Sequence, residues 1–505
     1  MKFYTNIQLI GNQFLIRGYE NGKHITHREE WKPTLYVPSK RKTKYKTLEG
    51  DFVEPIQPGF VRDCREFYKK YDEVENFKIY GNDRYVYQYI SEKYPEDHIK
   101  FDIKNIRLVT IDIEVAAESG FPDVENVAEE LLLISLQDYA TKKVITFGSR
   151  PFVNKDPNVT YVLCHDEVHL LSSFLAYWRK NLPEVITGWN SQMYDIPYLA
   201  GRINRIMGEK SMKDLSPWGL VSQGEVYISG RKNITYDIGG VTQLDYLDLY
   251  KRFTYTNQES YRLDYIANYE LGEKKLDHNE YDTFREFYTK DWDKFVRYNI
   301  KDVQLVDRLE DKLKLIELAI TMAFDAKVNF IDIHYQVRMW DTIIYNYLKK
   351  QNIVIPPKKK TSKSEKYAGA YVKEPKPGKY DWVVNFDLNS LYPHLIMQYN
   401  ISPETLWETR HPSASVERIL NEEITIDGDF SVCANGAQYR KDVRGFLPEL
   451  MEKIYTERTI YKKKMLAAKQ EYENTKNPKL VKDIATFNNI QMARKIQLNS
   501  AYGAI

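Results

Sequence analysis

The chain has 505 residues, 43% of them apolar, and a formal charge of +2 at neutral pH. That length calls for roughly three to four domains at ordinary domain sizes. The three cysteines (Cys64, Cys164 and Cys433) lie far apart with no CxxC pair, which argues against disulfides and zinc and suits a reducing cytoplasm. No apolar run is long enough to span a bilayer, so no membrane role is expected. The small net charge hides an uneven distribution. Pro356–Asp381 carries eight Lys against three acids, and Glu449–Ile505 carries eleven cations against six acids, so the remainder is acidic. This balance fits either a polyanion partner with a separate carboxylate-rich site or a solvated Lys face.

The N-terminus, "MKFYTNIQLIGNQFLIRGYENGK", alternates as a strand pair with "GN" at the turn and does not resemble a leader. Residues 1–107 read as short strands and turns with one or two helices, a small Tyr-rich α+β domain. From Arg107 the pattern becomes α/β: strands at "RLVTIDIEV", "EELLLISLQD" and "KVITFGS", then an amphipathic helix at "EVHLLSSFLAYWRKN". "GEVYISGRKNITYDIGGVTQLDYLDL" reads as a hairpin and a further strand. One long helical pattern runs from Asp291 to Phe324, and another covers "HYQVRMWDTIIYNYLKK". "PPKKKTSKSEK" is a linker and a domain boundary. A strand "WVVNFDL" follows, then a helix through "LYPHLIMQYN". The chain closes with a helical hairpin, Glu449 to about Asn474 and Val481 to the terminus.

Carboxylates mark one candidate site. In "IDIEV", Asp112 and Glu114 are two apart on a strand and share a face, with Ile111, Ile113 and Val115 on the other. Paired carboxylates on an apolar strand repel and lose hydration unless a cation holds them, and hard divalent metals favour such oxygen ligands. They fit equally a solvated strand face. "GWNSQMYDIPYL" offers Asn190 and Asp195 where a loop enters a helix, and Asp195 could simply cap that helix. "YNIKD" sets Tyr298 and Asp302 one helical turn apart, where the phenol could orient an attacking water or the two could form an ordinary surface pair. The order strand, loop-to-helix, helix is that of proofreading 3′–5′ exonucleases with four acids and a tyrosine, which use two metals.

"FDLNSLYP" resembles the first catalytic motif of the family B DNA polymerases, and "KIQLNSAYG" resembles their fingers-helix motif. "TGWNSQMYDIPYL", "LDYLDLYKRF", "YAGAYVKEPKP" and "NISPET" look like the T-even-type phage replicative class, and the resemblance covers the whole chain. On the residues themselves, Asp387 ends an apolar strand where a buried carboxylate needs a cation, or caps the helix that follows, and the Leu388–Pro393 turn can offer backbone N–H groups to a triphosphate. Arg458 and Lys462 are four apart on one helix of the hairpin, Lys495 and Asn499 four apart on the other, and Tyr502 lies close to that face. Two antiparallel helices can converge such groups on one triphosphate, or present a solvated basic surface.

The resemblance implies an α/β multidomain chain: an amino-terminal domain (1–107, with 315–357 returning to it), an RNase H-like exonuclease (108–314), a partial palm (358–444) and helical-hairpin fingers (445–505). It implies that Asp112, Glu114, Asp195, Asp302 and Asp387 bind Mg2+ or Mn2+, with Tyr298 assisting at the exonuclease site. Leu388, Ser390, Leu391 and Tyr392 would meet the incoming dNTP, Tyr392 excluding a 2′-OH. Arg458, Lys462, Lys495 and Asn499 would contact its phosphates, and Tyr502 would stack near the nascent base pair. The hairpin at 225–240 would help divert a primer end to the exonuclease. In the family the chain runs on to an Asp-Thr-Asp strand, a thumb and a sliding-clamp peptide, and no Asp-Thr-Asp occurs in these residues. The expectation is an N-terminal portion, acting on primer-template and single-stranded DNA in a host cytoplasm, that extends primers only with a C-terminal polymerase chain. The competing expectation is a non-catalytic module that binds RNA.

Overall fold

The computed structural model describes residues 1–71, 74, 77–117, 120, 122–228, 230–254, 256–357, 372–388, 390–424 and 428–504. The core of the linker, 358–371, and Asn389 of "FDLNSLYP" lie outside them. The chain divides into two compact units. One comprises Met1–Trp31, Val86–Thr342 and Ala468–Ala493; the other comprises Lys32–Tyr85, Ile343–Ala467 and Arg494–Ile505.

In the first unit the opening pattern forms the strands Lys2–Ile10 and Gln13–Glu20, antiparallel, with Lys23–Glu30 added beside them. The centre is a mixed six-stranded sheet. Its order is Val159–Leu163, Val144–Gly148, Leu131–Asp138, Leu108–Val115, Val185–Thr187 and Thr242–Gln243. Leu131–Asp138 runs antiparallel to both neighbours, and the remaining pairs are parallel.

Strand alternation divides the central strand cleanly. Val109, Ile111, Ile113 and Val115 pack with Leu170, Phe174 and Trp178 of the helix Glu167–Lys180 and with Ile196, Leu199 and Ile203 of the helix Asp195–Met207. Asp112 and Glu114 therefore point to the opposite face. Apolar residues of the flanking strands on that face (Leu132, Leu133, Val144, Val159) pack against Phe295, Val296, Ile300 and Val303 of the helix Trp292–Leu313. A bulge accompanies Glu114: it stands opposite Leu133, but Val115 stands opposite Leu131. The extra residue, Leu132, joins Leu133 in the same apolar cluster, which a regular strand forbids.

The long pattern from Asp291 to Phe324 is two helices, Trp292–Leu313 and Leu315–Ala326, broken at Lys314 in the left-handed region (φ 57°). Buried Glu310 supports the break. Its carboxylate accepts from the backbone N–H groups of Ile316 (3.0 Å) and Glu317 (3.2 Å) and from the Tyr246 hydroxyl (3.1 Å). "LDYLDLY", read as the end of a strand, starts the helix Tyr246–Phe253, because Asp245 caps it through Leu247 N–H.

In the second unit, helices Gln336–Lys350, Leu391–Tyr399, Phe446–Thr475 and Lys479–Ala504 fall where the sequence places them, the first and the last two continuing into the first unit's residues. The expected strand "WVVNFDL" does not form. Residues 382–388 have no ladder partner among the described residues, and Trp382 (93%) and Phe386 (87%) are almost fully exposed. Asp387 is exposed with them, so the expectation of a buried carboxylate there is corrected. Alternation and apolarity specify a strand only when an edge is present to accept it.

Candidate active site

Three carboxylates meet between the central strand and the helix Trp292–Leu313. Ligand oxygens of Asp112, Glu114 and Asp302 lie within 4.8 Å of one another. Glu114 and Asp302 are buried, and Asp112 keeps some exposure to a cavity of about 710 Å³. Asp195, Tyr298, Lys275, Asn190 and Trp189 line the same cavity. The Asn299 amide donates to Asp112 at 2.6 Å. The Lys275 ammonium contacts the Asp302 carboxylate and lies 3.3 Å from the Tyr298 hydroxyl. All five residues expected from the sequence are thus at one cavity, although Asp195 stands outside the three-carboxylate cluster.

Asp195 does not cap its helix through its side chain. It is the first helical residue, after Tyr194, and its Oδ1 accepts from Ile113 N–H of the central strand at 3.0 Å. Behind it, buried Asp245 accepts from Asn190 N–H (3.1 Å), Gln192 N–H (2.9 Å) and Leu247 N–H (2.9 Å). One carboxylate thereby fastens the loop before Asp195, in which Asn190 has φ 68°, to the start of the next helix.

The electrostatics suit a cation. Burial, then the charges of the neighbouring acids, Asp302 first, pushes Asp112 and Glu114 well above the usual carboxylate range. Burial raises Asp195 to about 7 against the opposing hydrogen bond from Ile113. Asp302 is raised by burial, with Lys275 opposing. For Lys275, burial alone would favour the neutral amine, but Asp302, Tyr298 and Asp112 outweigh it and raise its pKa. Acids this close cannot all ionise without compensating charge. One Asp302 oxygen is buried without a hydrogen-bond partner. Oxygen donors at this spacing, one of them unengaged, fit a hard divalent ion.

A second group of expected residues lies in the other unit. Ser390 enters its helix in the left-handed region (φ 53°), and its hydroxyl lies 3.5 Å from the Arg458 guanidinium. Lys495 is lowered by burial and by the like charges of Arg458 and Lys462, so these three cations converge across the hairpin. Arg494 ties the two helices together by donating to Glu457 at 2.8 Å. Tyr392 and Tyr502 stack with ring centroids 4.5 Å apart and planes inclined by 10°. Leu388 and Leu391 are exposed beside them, as are Lys462 and Asn499 on their helices.

Residues 71–266 match the profile of the DNA polymerase family B exonuclease domain, and residues 334–505 match that of DNA polymerase family B. The chain belongs to this family. It is 33% identical to the DNA-directed DNA polymerase of Escherichia phage RB69 over 518 aligned residues, covering 95% of this chain and 56% of that protein. Identity to the DNA-directed DNA polymerase of Enterobacteria phage T4 is 31%, over 94% of this chain and 55% of that one. The DNA polymerase delta catalytic subunit of Candida albicans is 29% identical over 79% of this chain and 38% of its own length. The chain spans about half the length of the phage relatives it matches.

Sequence reasoning missed Lys275, Asn299 and Asp245. Lys275 comes from an irregular segment 27 residues before Asp302 and carries no pattern of its own. Asn299 adjoins Tyr298 in "YNIKD" and was legible as a neighbour but not as a ligand of Asp112. Asp245 stands in the quoted "LDYLDLY", where a cap signal before a helical run was the available clue.

Proposed function

We propose that this chain is the exonuclease-bearing part of a DNA-directed DNA polymerase and removes 3′ nucleotides from DNA. The observation that carries the reading is the Asp112, Glu114 and Asp302 cluster, with Asp195 and Tyr298 on the same cavity, within a segment that matches the family's exonuclease domain. Divalent cations such as Mg2+ held by Asp112, Glu114, Asp302 and Asp195 would supply the charge that activates a water and stabilises the leaving 3′ oxygen. The chain's own residues do the rest. Tyr298 and Lys275 offer donors beside Asp302, and Asp245 holds the loop that presents Asp195. Trp189, Tyr194 and Phe284 give the cavity aromatic walls on which a terminal base can stack.

The same reading assigns the amino-terminal, exonuclease, palm and fingers domains to 1–107, 108–314, 358–444 and 445–505. It assigns Asp387 to one metal of the polymerising site, and Arg458, Lys462, Lys495 and Asn499 to the triphosphate of a dNTP. Tyr392 and Tyr502 are assigned to the sugar and the base pair. Primer extension on primer-template DNA then needs a second palm carboxylate beyond Asp387, which these residues do not supply and a partner segment or chain would.

The test is excision from single-stranded DNA with Mg2+ or Mn2+. Asp112→Ala with Glu114→Ala should lower the single-turnover rate by at least ~10³-fold, as for loss of a dominant electrostatic group, while DNA binding in EDTA changes little. Unchanged excision by the double variant would remove the assignment. Binding without any excision by the parent would favour a module that only holds nucleic acid.

A further inference from the structure

We propose that Asn299 is a positioning residue of the carboxylate cluster: its amide holds Asp112 and Glu114 turned toward one divalent cation and sets the affinity for it, an assignment that rests on the reading of the cluster as a metal centre.

Asn299 stands on the helix Trp292–Leu313, one residue after Tyr298 and three before Asp302. Residues three apart share a helix face. One helical turn therefore carries both a ligand of the cluster and a donor aimed at the two ligands on the strand. The side chain is fully buried (0% exposed). Its Nδ2 donates to Asp112 Oδ2 at 2.6 Å. Burial raises Glu114, and a hydrogen bond from the same Asn299 side chain acts against that rise by favouring the ionised form. The NH2 group has two donors and an ionised carboxylate has none, so only this end of the amide can face the acids. Two donors meet two ligands, and the amide fixes how each carboxylate is turned.

The other end of the amide argues against a packing role. Asn299 Oδ1 is buried without a hydrogen-bond partner among the described residues. An asparagine kept for stability would have both ends matched, because an orphaned buried carbonyl is destabilising. Here one end is left bare while the other serves two acids that also meet Asp302. A neutral donor suits a metal centre for a further reason. It stabilises the ionised acids without adding positive charge, so the charge they lack is left for a cation to supply. A lysine or arginine at this position would compete with that cation for the same oxygens. Hydrogen bonds behind ligating carboxylates orient them, and losing one typically costs about 10–100-fold in metal affinity.

Mn2+ binding to the full chain is measured by calorimetry without DNA, at fixed pH and ionic strength. Asp112→Ala/Glu114→Ala identifies the heat that belongs to the cluster. Asn299→Leu keeps the forked shape of the side chain without its donors, and Asn299→Ala removes shape and donors together. Both should bind Mn2+ at the cluster about 10–100-fold more weakly than the parent. A packing role predicts instead that the leucine variant keeps the parent's affinity. Parent-like affinity in either folded variant overturns the assignment, as does an unchanged Mn2+ heat in Asp112→Ala/Glu114→Ala. If circular dichroism shows the leucine variant unfolded, the alanine variant decides. Excision of single-stranded DNA, assayed separately, should need correspondingly more Mn2+ to reach half its maximal rate in both variants. An Asn299-dependent Mn2+ site in a parent that excises nothing would remove the functional reading and leave the positioning role standing.

Discussion

Lys275→Met removes the ammonium that, among the described residues, contacts the carboxylate cluster, and leaves a side chain of similar length. Lys275 is 23% exposed and Asp302 4% exposed at the side chain, so the pair is largely desolvated. Breaking such a pair costs about 3–5 kcal/mol, because the remaining charge is stranded. The carboxylates can escape part of that cost by taking up a proton. Their native pKa values, already raised by burial and mutual repulsion, rise further once the ammonium is gone. An acid whose native pKa exceeds its unfolded value loses stability as pH climbs through the native value. The variant's deficit should therefore be smaller at lower pH, where these carboxylates are protonated, and grow toward the full ~3–5 kcal/mol as pH rises. In a cooperative unit of this size each kcal/mol shifts Tm by roughly 2–4 °C, so calorimetry in EDTA should show a gap of about 6–20 °C at the higher pH. Mn2+ at ~1,000 times the variant's Kd adds about 4 kcal/mol by binding the native state alone, and should bring the variant in metal close to the parent in EDTA. A gap that ignores pH, or that persists with metal, would show that Lys275 serves packing and not charge balance.

Two further outcomes follow from neighbouring groups. Asp245→Ala orphans the N–H groups of Asn190 and Gln192 and frees the loop before Asp195; single-turnover excision should slow by about 10²-fold, the usual cost of a misplaced reacting group. Asp245→Asn, which keeps one acceptor oxygen, should recover part of that loss. Glu310 is raised by burial to about 7, so it withdraws stability between its unfolded pKa and that value, in total ~3 kcal/mol at 1.36 kcal/mol per unit. Glu310→Gln should raise Tm at pH ~8 and leave it equal or lower near pH ~5; a parallel shift at both would refute the titration.

The elements nearest the site were the most legible. In "RLVTIDIEV" a two-residue period separates an apolar face from an acidic one, and the structure covers the first with two helices and the second with a third. The helix carrying Tyr298 and Asp302 was equally plain from its period, but its end was not. Nothing local marks Lys314 as left-handed, because the acceptor that stabilises the break is the buried Glu310 side chain. Lys275, and the part of Asp245's role beyond its cap, were illegible for a similar reason: Asp302 and the Asn190 and Gln192 N–H groups are distant in sequence, and one lysine or capping aspartate looks like any other. The stretch "WVVNF" shows the converse, a strong strand pattern with no neighbour to pair with among the described residues.

The bulge beside Glu114 sets a gauge for the chemistry. Leu132 and Leu133 together raise the floor on which the helix bearing Asp302 rests, so a hydrocarbon shim fixes how far the helix carboxylate stands from the strand carboxylates. Trimming or thickening that shim retunes the gap without touching any acid. The spacing between the acids is in this sense written in leucine.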